Sequence, residues 1–536
     1  MASVLIVGSG ASAVHFALSV LKKGHEVTML DVGHPKPAAL NPDDSVNDLK
    51  ARLSDPVRYF LGERYEGVVY PGSKGEYYGI PPTKHYVFSP PTAFHVEATG
   101  FEPLSSFGQG GLAEAWTGGA YPFNDHDLAA FPFRYRDLEP YYGEVARRIG
   151  ITGANDDLAR FLPLHAHLLE PLALDPHSLR LLADYERQRR DLNRALGCYL
   201  GRSRTAALTR DTDDRKACTY RGRCLWGCPL DALYTPSLTL KECQRYPGFR
   251  YLPNMYVSHF TLAGSRRVGG VVAEDLARTA LRELHADTYV LAAGTLSSSQ
   301  IFMESFLKAT GKTLTLPGLM DNRQILIPFV NLRMLGQTYP PESYQYHQLA
   351  LGIEPPRPEE YVHGLITTLK AAMVHPIIHS LPLDLRTSLF VFRNLRAGLG
   401  IVNVNLYDRQ RPENHLTLRP GPGSGRSTLV IHYTPAAGER IAISRAIRTV
   451  KKLLRRLGCL VPPGMIHVRP MGASVHYAGT IPMSTTAAPR TVSKDCRSHD
   501  LDNLYIVDGA TFPFLPAKNI TFTLMANAVR VAETAF

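Results

Sequence analysis

The chain has 536 residues, of which 44% are hydrophobic and 20% charged, a composition typical of a folded protein and a length too great for one simple domain. The formal net charge is +11, but the basic residues are scattered, so we expect a solvated basic surface and no nucleic-acid partner. Because no run of about eighteen apolar residues occurs, we expect no transmembrane span.

The apolar stretch that begins at Val4 has neither a basic leader nor a cleavage site, so we interpret it as part of the fold and not as a signal peptide. We therefore expect a cytoplasmic protein, with a periplasmic or membrane-associated location through a partner subunit as the alternative. Seven cysteines in a chain of this length do not predict a disulfide framework.

The amino-terminal residues predict a strand, a glycine turn, a helix and a second strand. In Gly8-x-Gly10-x-x-Ala13 the first glycine permits a tight turn, and the second lets the backbone approach a pyrophosphate. Ala13 lets the helix pack on the strand, and the helix N-terminus from Ala11 offers N–H groups to phosphate. Asp31 stands where an acid binds ribose hydroxyls, so the unit predicts a bound dinucleotide, with NAD and FAD both compatible. The predicted elements are Ser3–Val7, Ala11–Lys23 and Glu26–Leu30.

The remaining chain mixes irregular, helical and strand-like patterns. Residues Pro35–Ala98 predict irregular covering structure, and the Leu252–Val290 stretch alternates as strands do. Long connections separate the later strand-like stretches, which predicts an antiparallel sheet in a second domain. Helices are predicted at Arg136–Gly150, Leu158–Leu196 and Arg440–Leu457, and the later strands at Ile325–Leu332, Ile401–Leu406 and Leu429–Tyr433.

Several motifs spread along the chain resemble those of the glucose–methanol–choline (GMC) family of flavin oxidoreductases. The resemblance covers nearly the whole length and is strongest near the carboxyl end. The motifs are the glycine turn, Gly110–Gly119, Asp137–Tyr142, Val290–Thr295, Leu319–Asn322, His476–Thr480, Asn503–Gly509 and Asn519–Thr521.

The resemblance implies an α/β fold, α+β overall, with a Rossmann-type FAD-binding domain and a discontinuous antiparallel-sheet substrate domain. Residues 1–119 form the FAD-binding domain with covering loops, and 120–205 form substrate-domain helices. The FAD-binding domain continues over 206–318, the substrate domain over 319–465, and 466–536 form the C-terminal FAD and catalytic segment.

The resemblance also implies a FAD that is held without a covalent bond, since Ala115 stands where some members attach FAD through a histidine. Thr117 is expected near flavin N5. The family's Asn-Pro-Thr is here Asn519-Ile520-Thr521, for which we expect the same turn with a freer backbone. The implied cofactor-binding residues are Gly8, Gly10, Ala11, Ala13, Asp31, Gly110, Gly111, Trp116, Thr117, Val257, Ala293, Gly294, Asp508, Gly509 and Thr521.

Alcohol oxidation by a flavin needs a base for the hydroxyl proton, and histidine suits this task because its ordinary pKa is near neutrality. His476 is the predicted base, and Asn519 is predicted to bond and orient the same hydroxyl. The expected substrate is a sugar, cyclitol, glycoside or other polyol. The electron acceptor, which could be O2, a quinone or a redox protein, stays open, and so does the choice between oxidase and dehydrogenase.

Two alternatives remain at this stage. The first is an oxidase of a hydrophobic alcohol such as a sterol at a membrane surface, because Val374–Gly400 is apolar with scattered arginines. The second is a non-catalytic flavoprotein electron-transfer subunit, against which the presence of both His476 and Asn519 argues.

Three cysteines lie in an unusual spacing, Cys218-x5-Cys224-x3-Cys228-Pro229. A bacterial ferredoxin run has this frame with one further cysteine, where this chain has Arg221. The segment resembles one in the catalytic subunits of certain membrane-linked FAD sugar dehydrogenases, which implies that the cysteines could hold a [3Fe–4S] cluster. The alternatives are cysteines that simply pack and, less favoured, an incomplete zinc site.

Overall fold

A five-stranded parallel sheet joins the two ends of the chain in the computed structural model, which describes residues 2–65, 80–369, 382–421 and 426–536. Strand Ser3–Val7 lies at its centre, and its apolar side chains are almost fully buried. Strands buried on both faces have continuous apolar sequences, which is why the sequence predicts this strand. In sheet order the strands are Leu504–Ile506, Thr288–Leu291, Ser3–Val7, Glu26–Leu30 and Phe249–Leu252.

Helices Ala11–Lys22 and Thr521–Ala535 pack against each other beside this sheet. Lys23 donates from Nζ to the carbonyls of Ala532 (3.2 Å) and Glu533 (2.7 Å). The first helix is buried along nearly its whole length, so the carboxyl-terminal helix is a layer of the nucleotide-binding fold and not an appendage.

A larger antiparallel sheet forms the second centre of the fold. Its residues Ile325, Ile327, Val402 and Val404 belong to an apolar cluster with residues of the helices that cover that face. Successive side chains of a strand point to opposite faces, so Gln324, Asn403 and Thr367 lie on the other face. In sheet order its strands are Cys459–Leu460, Arg323–Asn331, Leu399–Leu406, Val362–Thr368, Leu349–Ile353 and Cys198–Arg202, with His467–Val468 also paired to Arg323–Asn331.

Smaller sheets and helices complete the described structure. The first small sheet comprises Met255–Leu262, Val268–Asp275 and Ala280–Leu284, and the second Thr315–Pro317, His415–Arg419, Thr428–His432 and Val96–Thr99. Two-stranded pairs are Asp408–Arg409 with Phe514–Leu515, and Ile151–Thr152 with Leu168–Leu169. The other α-helices are Val46–Arg52, Pro56–Leu61, His85–Phe88, Tyr135–Ile149, Pro176–Leu196, Pro236–Cys243, Thr295–Thr310, Leu385–Leu395 and Glu439–Arg456.

The predicted mixed α/β fold class is confirmed, but the helix predicted over Leu158–Leu196 is wrong in its first half. The helix begins at Pro176, where the Asp175 carboxylate accepts from the N–H groups of His177 and Ser178. The residues before it form a 3-10 turn, Asp157–Arg160, and the short strand Leu168–Leu169. Prolines at 163 and 171 interrupt any helix there, because proline lacks the N–H that a helix interior needs.

Two further predictions need correction. The strand predicted at Leu429–Tyr433 is Thr428–His432 and belongs to the four-stranded sheet, not to the larger one. The predicted covering region Pro35–Ala98 holds short helices, and its residues 66–79 lie outside the described structure. The division into five segments stays a proposal. Among the described residues, no helix has both the length and the apolar character needed to cross a bilayer.

Candidate active site

An open cavity lies at the carboxyl ends of the parallel strands. In an open α/β sheet this edge is where ligands bind, because loops from adjacent strands diverge there. Most of the predicted cofactor residues line this cavity: Gly8, Gly10, Ala11, Asp31, Gly111, Val257, Ala293, Gly294, Asp508, Gly509 and Thr521.

The first helix presents an uncapped N-terminus to this cavity. Gly10 occupies the N-cap without a side-chain hydrogen bond, and the first turn holds no acid. A Cβ placed on Gly10 would meet nothing within 4 Å, so the space in front of the helix end is open. The first N–H groups of the helix have no intrahelical partner, and with the helix dipole they suit a phosphate group.

Asp31 lies at the end of the second strand with two hydroxyl groups on its carboxylate. Ser9 donates to Oδ2, and Tyr251 donates to the same oxygen over 3.0 Å. Burial raises the pKa of this carboxyl to about 7. The Ser9 hydroxyl also accepts from the N–H of Gly110 (2.8 Å), which connects Asp31 to the second glycine-rich segment. Sequence reasoning missed Ser9 and Tyr251; Ser9 at least stood inside the glycine motif.

Asp508 ties the carboxyl-terminal segment to the central strands. Its Oδ2 accepts from the N–H of Gly294 (3.0 Å) and from the hydroxyl of Ser298 (2.5 Å), and its Oδ1 accepts from Ala510 N–H (3.0 Å). Burial raises the pKa of this carboxyl to about 6. The prediction placed Asp508 at the cofactor through its backbone, whereas its side chain builds the wall of the cavity.

A second cavity opens beside the first and reaches the polar face of the larger sheet. Trp116, Thr117 and Asn519 line this second cavity and do not line the first. Ala13 and Gly110 line neither: Ala13 is fully buried in the helix, and Gly110 bonds Ser9. Residues that line both cavities include Leu104, Leu112, Ala113, Val475, His476 and Thr521.

His476 lies where the two cavities meet and touches two carboxamides. Its Nε2 is 3.3 Å from Nδ2 of Asn519, and its Nδ1 is 3.0 Å from Oδ1 of Asn322. Burial, and then the nearby positive charge of Arg469, lower the pKa of the imidazole to about 4. The ring is therefore neutral near pH 7, as a proton acceptor must be.

The main chain that carries His476 is anchored to the buried carboxylate of Asp321. This carboxylate accepts from Gly472 N–H (2.7 Å), from the Ser474 hydroxyl and from His476 N–H (3.3 Å). Val475, between Ser474 and His476, has a φ of +62°, a left-handed conformation that a β-branched residue rarely adopts. Such strain persists only where surrounding contacts hold it, and the Asp321 bonds supply those contacts.

Asn519 is anchored by its neighbour Lys518, whose ammonium group is fully buried. That group pairs with the Asp127 carboxylate and donates to the carbonyls of Phe161 (2.7 Å) and Pro122 (3.3 Å). Ile520 follows with φ −83°, near the value a proline would impose, and helix Thr521–Ala535 begins at the next residue. The turn expected at Asn519-Ile520-Thr521 stays a prediction, and the chain enters the helix directly after Ile520.

A family model described as GMC oxidoreductase matches residues 410–528. The chain is 22% identical to paromamine 6'-oxidase of Streptomyces fradiae, over 99% of this chain and 90% of that relative. It is 24% identical to C-glycoside 3-oxidase of Microbacterium trichothecenolyticum, over 80% of this chain and 76% of that one. The crystal structure of pyridoxine 4-oxidase from Mesorbium loti covers 99% of both chains at 17% identity and a TM-score of 0.60.

The carboxyl-terminal part of the chain thus matches the GMC oxidoreductase model, and the whole chain is similar in sequence or fold to oxidases. The members of that family bind FAD, and the open space at the first helix and the hydroxyl-bonded Asp31 fit that cofactor. The family match covers the segment that brings His476, Asp508 and Asn519 to the amino-terminal fold. The relatives' names describe oxidases, which gives no support to a non-catalytic subunit or to a membrane-surface sterol oxidase. Of the stretch Val374–Gly400, residues 374–381 lie outside the described structure.

The three cysteines Cys218, Cys224 and Cys228 pack in one apolar cluster with Leu233, Tyr344 and Tyr346. Burial raises the pKa of the Cys218 thiol to about 11 and that of the Cys224 thiol further. Within the described ranges no group of three His, Cys, Asp or Glu side chains is arranged to hold a metal ion. The [3Fe–4S] cluster stays a prediction.

Proposed function

We propose that this enzyme oxidises a hydroxyl group of a neutral polyhydroxylated compound, such as a sugar, glycoside or cyclitol, to a carbonyl. The observation that carries the proposal is the place of His476 at the junction of the two cavities, with Asn519 beside its Nε2. A hydroxyl placed between these side chains would have its carbon facing the first cavity, where the cofactor of this family belongs.

The chemistry divides between the cofactor and this chain's own groups. FAD, when bound, supplies an acceptor for the hydride that leaves the substrate carbon. His476 Nε2 accepts the hydroxyl proton as the carbon–hydrogen bond breaks, so the oxygen becomes a carbonyl and the imidazole becomes an imidazolium. Asn519 Nδ2 donates to the substrate oxygen and fixes its direction. The residues proposed to hold FAD are those that line the first cavity.

Unpaired polar atoms of the second cavity support a substrate with several hydroxyl groups. Nε2 of His347, Oδ1 of Asn403 and Oδ1 of Asn519 are buried and have no hydrogen-bond partner within the described part of the chain. A Cβ on Gly119 would lie 3.2 Å from His347 Nε2 and 3.5 Å from Asn519 Cγ, so both side chains face the same space. Unpaired buried polar groups cost free energy, and a guest with matching hydroxyls would remove that cost.

The charges around the second cavity favour a neutral polyol over an amino sugar such as the paromamine in one relative's name. Its described lining includes Lys84 and Arg469 and no aspartate or glutamate. The buried Lys84 ammonium donates to the Tyr346 hydroxyl (3.0 Å), and burial lowers the pKa of this amine to about 8. A substrate carrying several positive charges would meet like charge there, and the described lining offers it no carboxylate.

Replacing His347 with phenylalanine should raise KM for the polyol by about 5–150-fold, because a buried hydrogen bond worth roughly 1–3 kcal/mol would be lost while an aromatic ring remains in place. The rate of flavin reduction at saturating substrate should change much less. Steady-state and rapid-reaction kinetics on the same polyol would measure both. As the control, His415→Phe changes a half-buried histidine of the four-stranded sheet that lines neither cavity, and it should leave KM unaltered. An unchanged KM in His347→Phe would remove His347 from substrate binding.

The pH dependence of kcat/KM should show an acid limb well below the ordinary histidine pKa. Since the folded-state pKa of His476 is lowered to about 4, the neutral base is fully present near pH 7 and is lost only as the pH falls through that value. Kinetics between pH 4 and 8 on protein checked for retained flavin would measure it, and the expected profile is flat above about pH 6. An acid limb at pH 6.5 or above would contradict the described burial of this ring.

The central experiment is anaerobic. The purified yellow protein is mixed with a neutral methyl glycoside, a cyclitol, an aminoglycoside and a long-chain alcohol, and the flavin absorbance is followed. Bleaching by a neutral polyol supports the proposal, bleaching by the aminoglycoside alone overturns the neutral substrate class, and bleaching by none overturns alcohol oxidation.

Iron and acid-labile sulfide analysis of the same sample tests the proposed [3Fe–4S] cluster at Cys218, Cys224 and Cys228. Iron-free protein with full flavin reduction would overturn the cluster.

A further inference from the structure

We propose that Asn322 is a positioning residue, which holds His476 in the single neutral tautomer whose Nε2 can accept a proton. This inference rests on the proposed function of His476 as the base. Asn322 is 1% exposed and lies just before strand Arg323–Asn331 of the larger sheet.

Two backbone carbonyls fix the orientation of the Asn322 carboxamide. Its Nδ2 donates to Leu406 O and to Pro516 O, each over 2.9 Å. A carbonyl oxygen only accepts, so the amide nitrogen must face both of them, and the reversed amide would put oxygen against oxygen twice. Oδ1 is therefore the atom that faces the His476 ring, 3.0 Å from Nδ1.

The fixed amide decides which ring nitrogen carries the hydrogen. Oδ1 of Asn322 only accepts, so Nδ1 of His476 must carry the hydrogen and donate. In a neutral ring Nε2 then has a free lone pair, directed at Nδ2 of Asn519 over 3.3 Å and into the second cavity. The opposite tautomer would set a lone pair against Oδ1 at one nitrogen and an N–H against an N–H at the other.

The ring and the main chain of His476 are held by neighbouring residues with separate tasks. Asp321 bonds the backbone of the loop, whereas Asn322 bonds the imidazole. Pro516 O, one of the two carbonyls that orient Asn322, lies three positions before Asn519 on the same segment. A single carboxamide thus joins the segments that carry the two groups proposed to touch the substrate hydroxyl.

Asn322→Ala should lower the rate of flavin reduction at saturating polyol by about 10²-fold, because a base held in the wrong tautomer can lose up to about 10⁴-fold in rate. KM should change by less than about threefold, since the substrate-facing Asn519 and His347 remain. The wild-type enzyme, measured alongside, separates the two proposals. If no polyol bleaches the wild-type flavin, the proposed oxidation of a polyol is refuted, whereas the proposed role of Asn322 in fixing the His476 tautomer is not.

Asn322→Asp distinguishes positioning from support of the fold. One oxygen of the aspartate still accepts from Nδ1, so it should reduce flavin at least about tenfold faster than Asn322→Ala, and a carboxylate there should move the acid limb to higher pH. Its other oxygen faces the carbonyls of Leu406 and Pro516, so its thermal stability should be no better than that of the alanine variant. A purely structural role predicts that the flavin-reduction rates of the two variants follow their thermal stabilities. Rates ranked in that way would overturn the proposal.

Asn414→Ala is the matched control for the loss of a buried amide. Asn414 is fully buried and its Oδ1 accepts from Thr434 N–H (2.8 Å), but it has no contact with His476. It should lower Tm and leave the rate per bound flavin within about twofold of wild type. A loss as large as that of Asn322→Ala would overturn the proposal.

A readout without turnover is the ring nitrogen spectrum of holoenzyme labelled with 15N-histidine, with His476 identified by the signals absent in His476→Gln. The wild-type protein should show protonated Nδ1 and unprotonated Nε2 at pH 7.5. Asn322→Ala should lose this pattern and Asn322→Asp should keep a proton on Nδ1. A protonated Nε2 with a bare Nδ1 in the wild-type protein would overturn the proposal, whatever the enzyme oxidises.

Discussion

Replacing His476 with alanine should lower the rate of anaerobic flavin reduction by about 10²–10⁴-fold, the range in which a positioned general base contributes. The flavin should stay bound, because the cradle at Gly8–Ala11, Asp31 and Asp508 does not depend on this ring. Stopped-flow reduction by a saturating neutral polyol would measure the rate, and the visible spectrum of the purified variant would measure flavin content.

A second histidine variant serves as the control for His476→Ala. His499 bonds the Thr491 hydroxyl through Nδ1 (2.8 Å) and lines neither cavity, so His499→Ala should reduce flavin at the wild-type rate. Full activity in His476→Ala would remove His476 from the role of base. Loss of flavin in that variant would show instead that the ring supports the cofactor site.

Gly10→Val should produce a folded but largely colourless protein. A Cβ at Gly10 meets no protein atom within 4 Å, and its φ of −65° and ψ of 177° suit a β-branched residue, so the empty fold should tolerate valine. The added methyl groups would occupy the space before the helix N-terminus. Overpacking of roughly 1–3 kcal/mol corresponds to FAD binding that is weaker by about 10–100-fold or more. Titration of the flavin-free protein with FAD would measure the change in Kd.

Gly8→Ala provides the contrast to Gly10→Val, because the first glycine is needed by the chain itself. Gly8 has φ +100°, and a Cβ there would lie 2.5 Å from the carbonyl oxygen of Ala292. This variant should therefore lower Tm even without FAD, whereas Gly10→Val should not. Wild-type FAD affinity in Gly10→Val would contradict the proposed phosphate position.

Local signals in the sequence revealed the parts of the structure that are themselves local. The glycine turn, the first helix and both flanking strands depend on residues within about one turn of each other, and the observed bounds differ from the predicted ones by one residue at most. The family resemblance supplied what local patterns lack, namely that the His476 and Asn519 segments return to this fold, and the match of residues 410–528 to the GMC oxidoreductase model supports that resemblance. The roles of the individual site residues remain predictions.

The residues that the sequence did not reveal act across long separations. Asn322 meets His476 over 154 positions, and Tyr251 meets Asp31 over 220. Neither pairing produces a periodicity or a fixed spacing in the sequence, because each forms only when distant segments of the folded chain become neighbours. The location of Trp116 and Thr117 in the second cavity was missed for the same reason: a loop motif identifies the segment but not the side to which each residue turns.

The joining of both ends in one sheet has a consequence for biosynthesis. Translation produces the glycine turn at Gly8–Gly10 long before the outermost strand, Leu504–Ile506, and the Asp508 carboxylate that complete the cradle. Tight capture of the cofactor should therefore wait until this later segment has been synthesised. Once bound, FAD would contact both the amino-terminal and the carboxyl-terminal segments. It would raise the free energy of unfolding in proportion to the logarithm of the ratio of free FAD concentration to Kd.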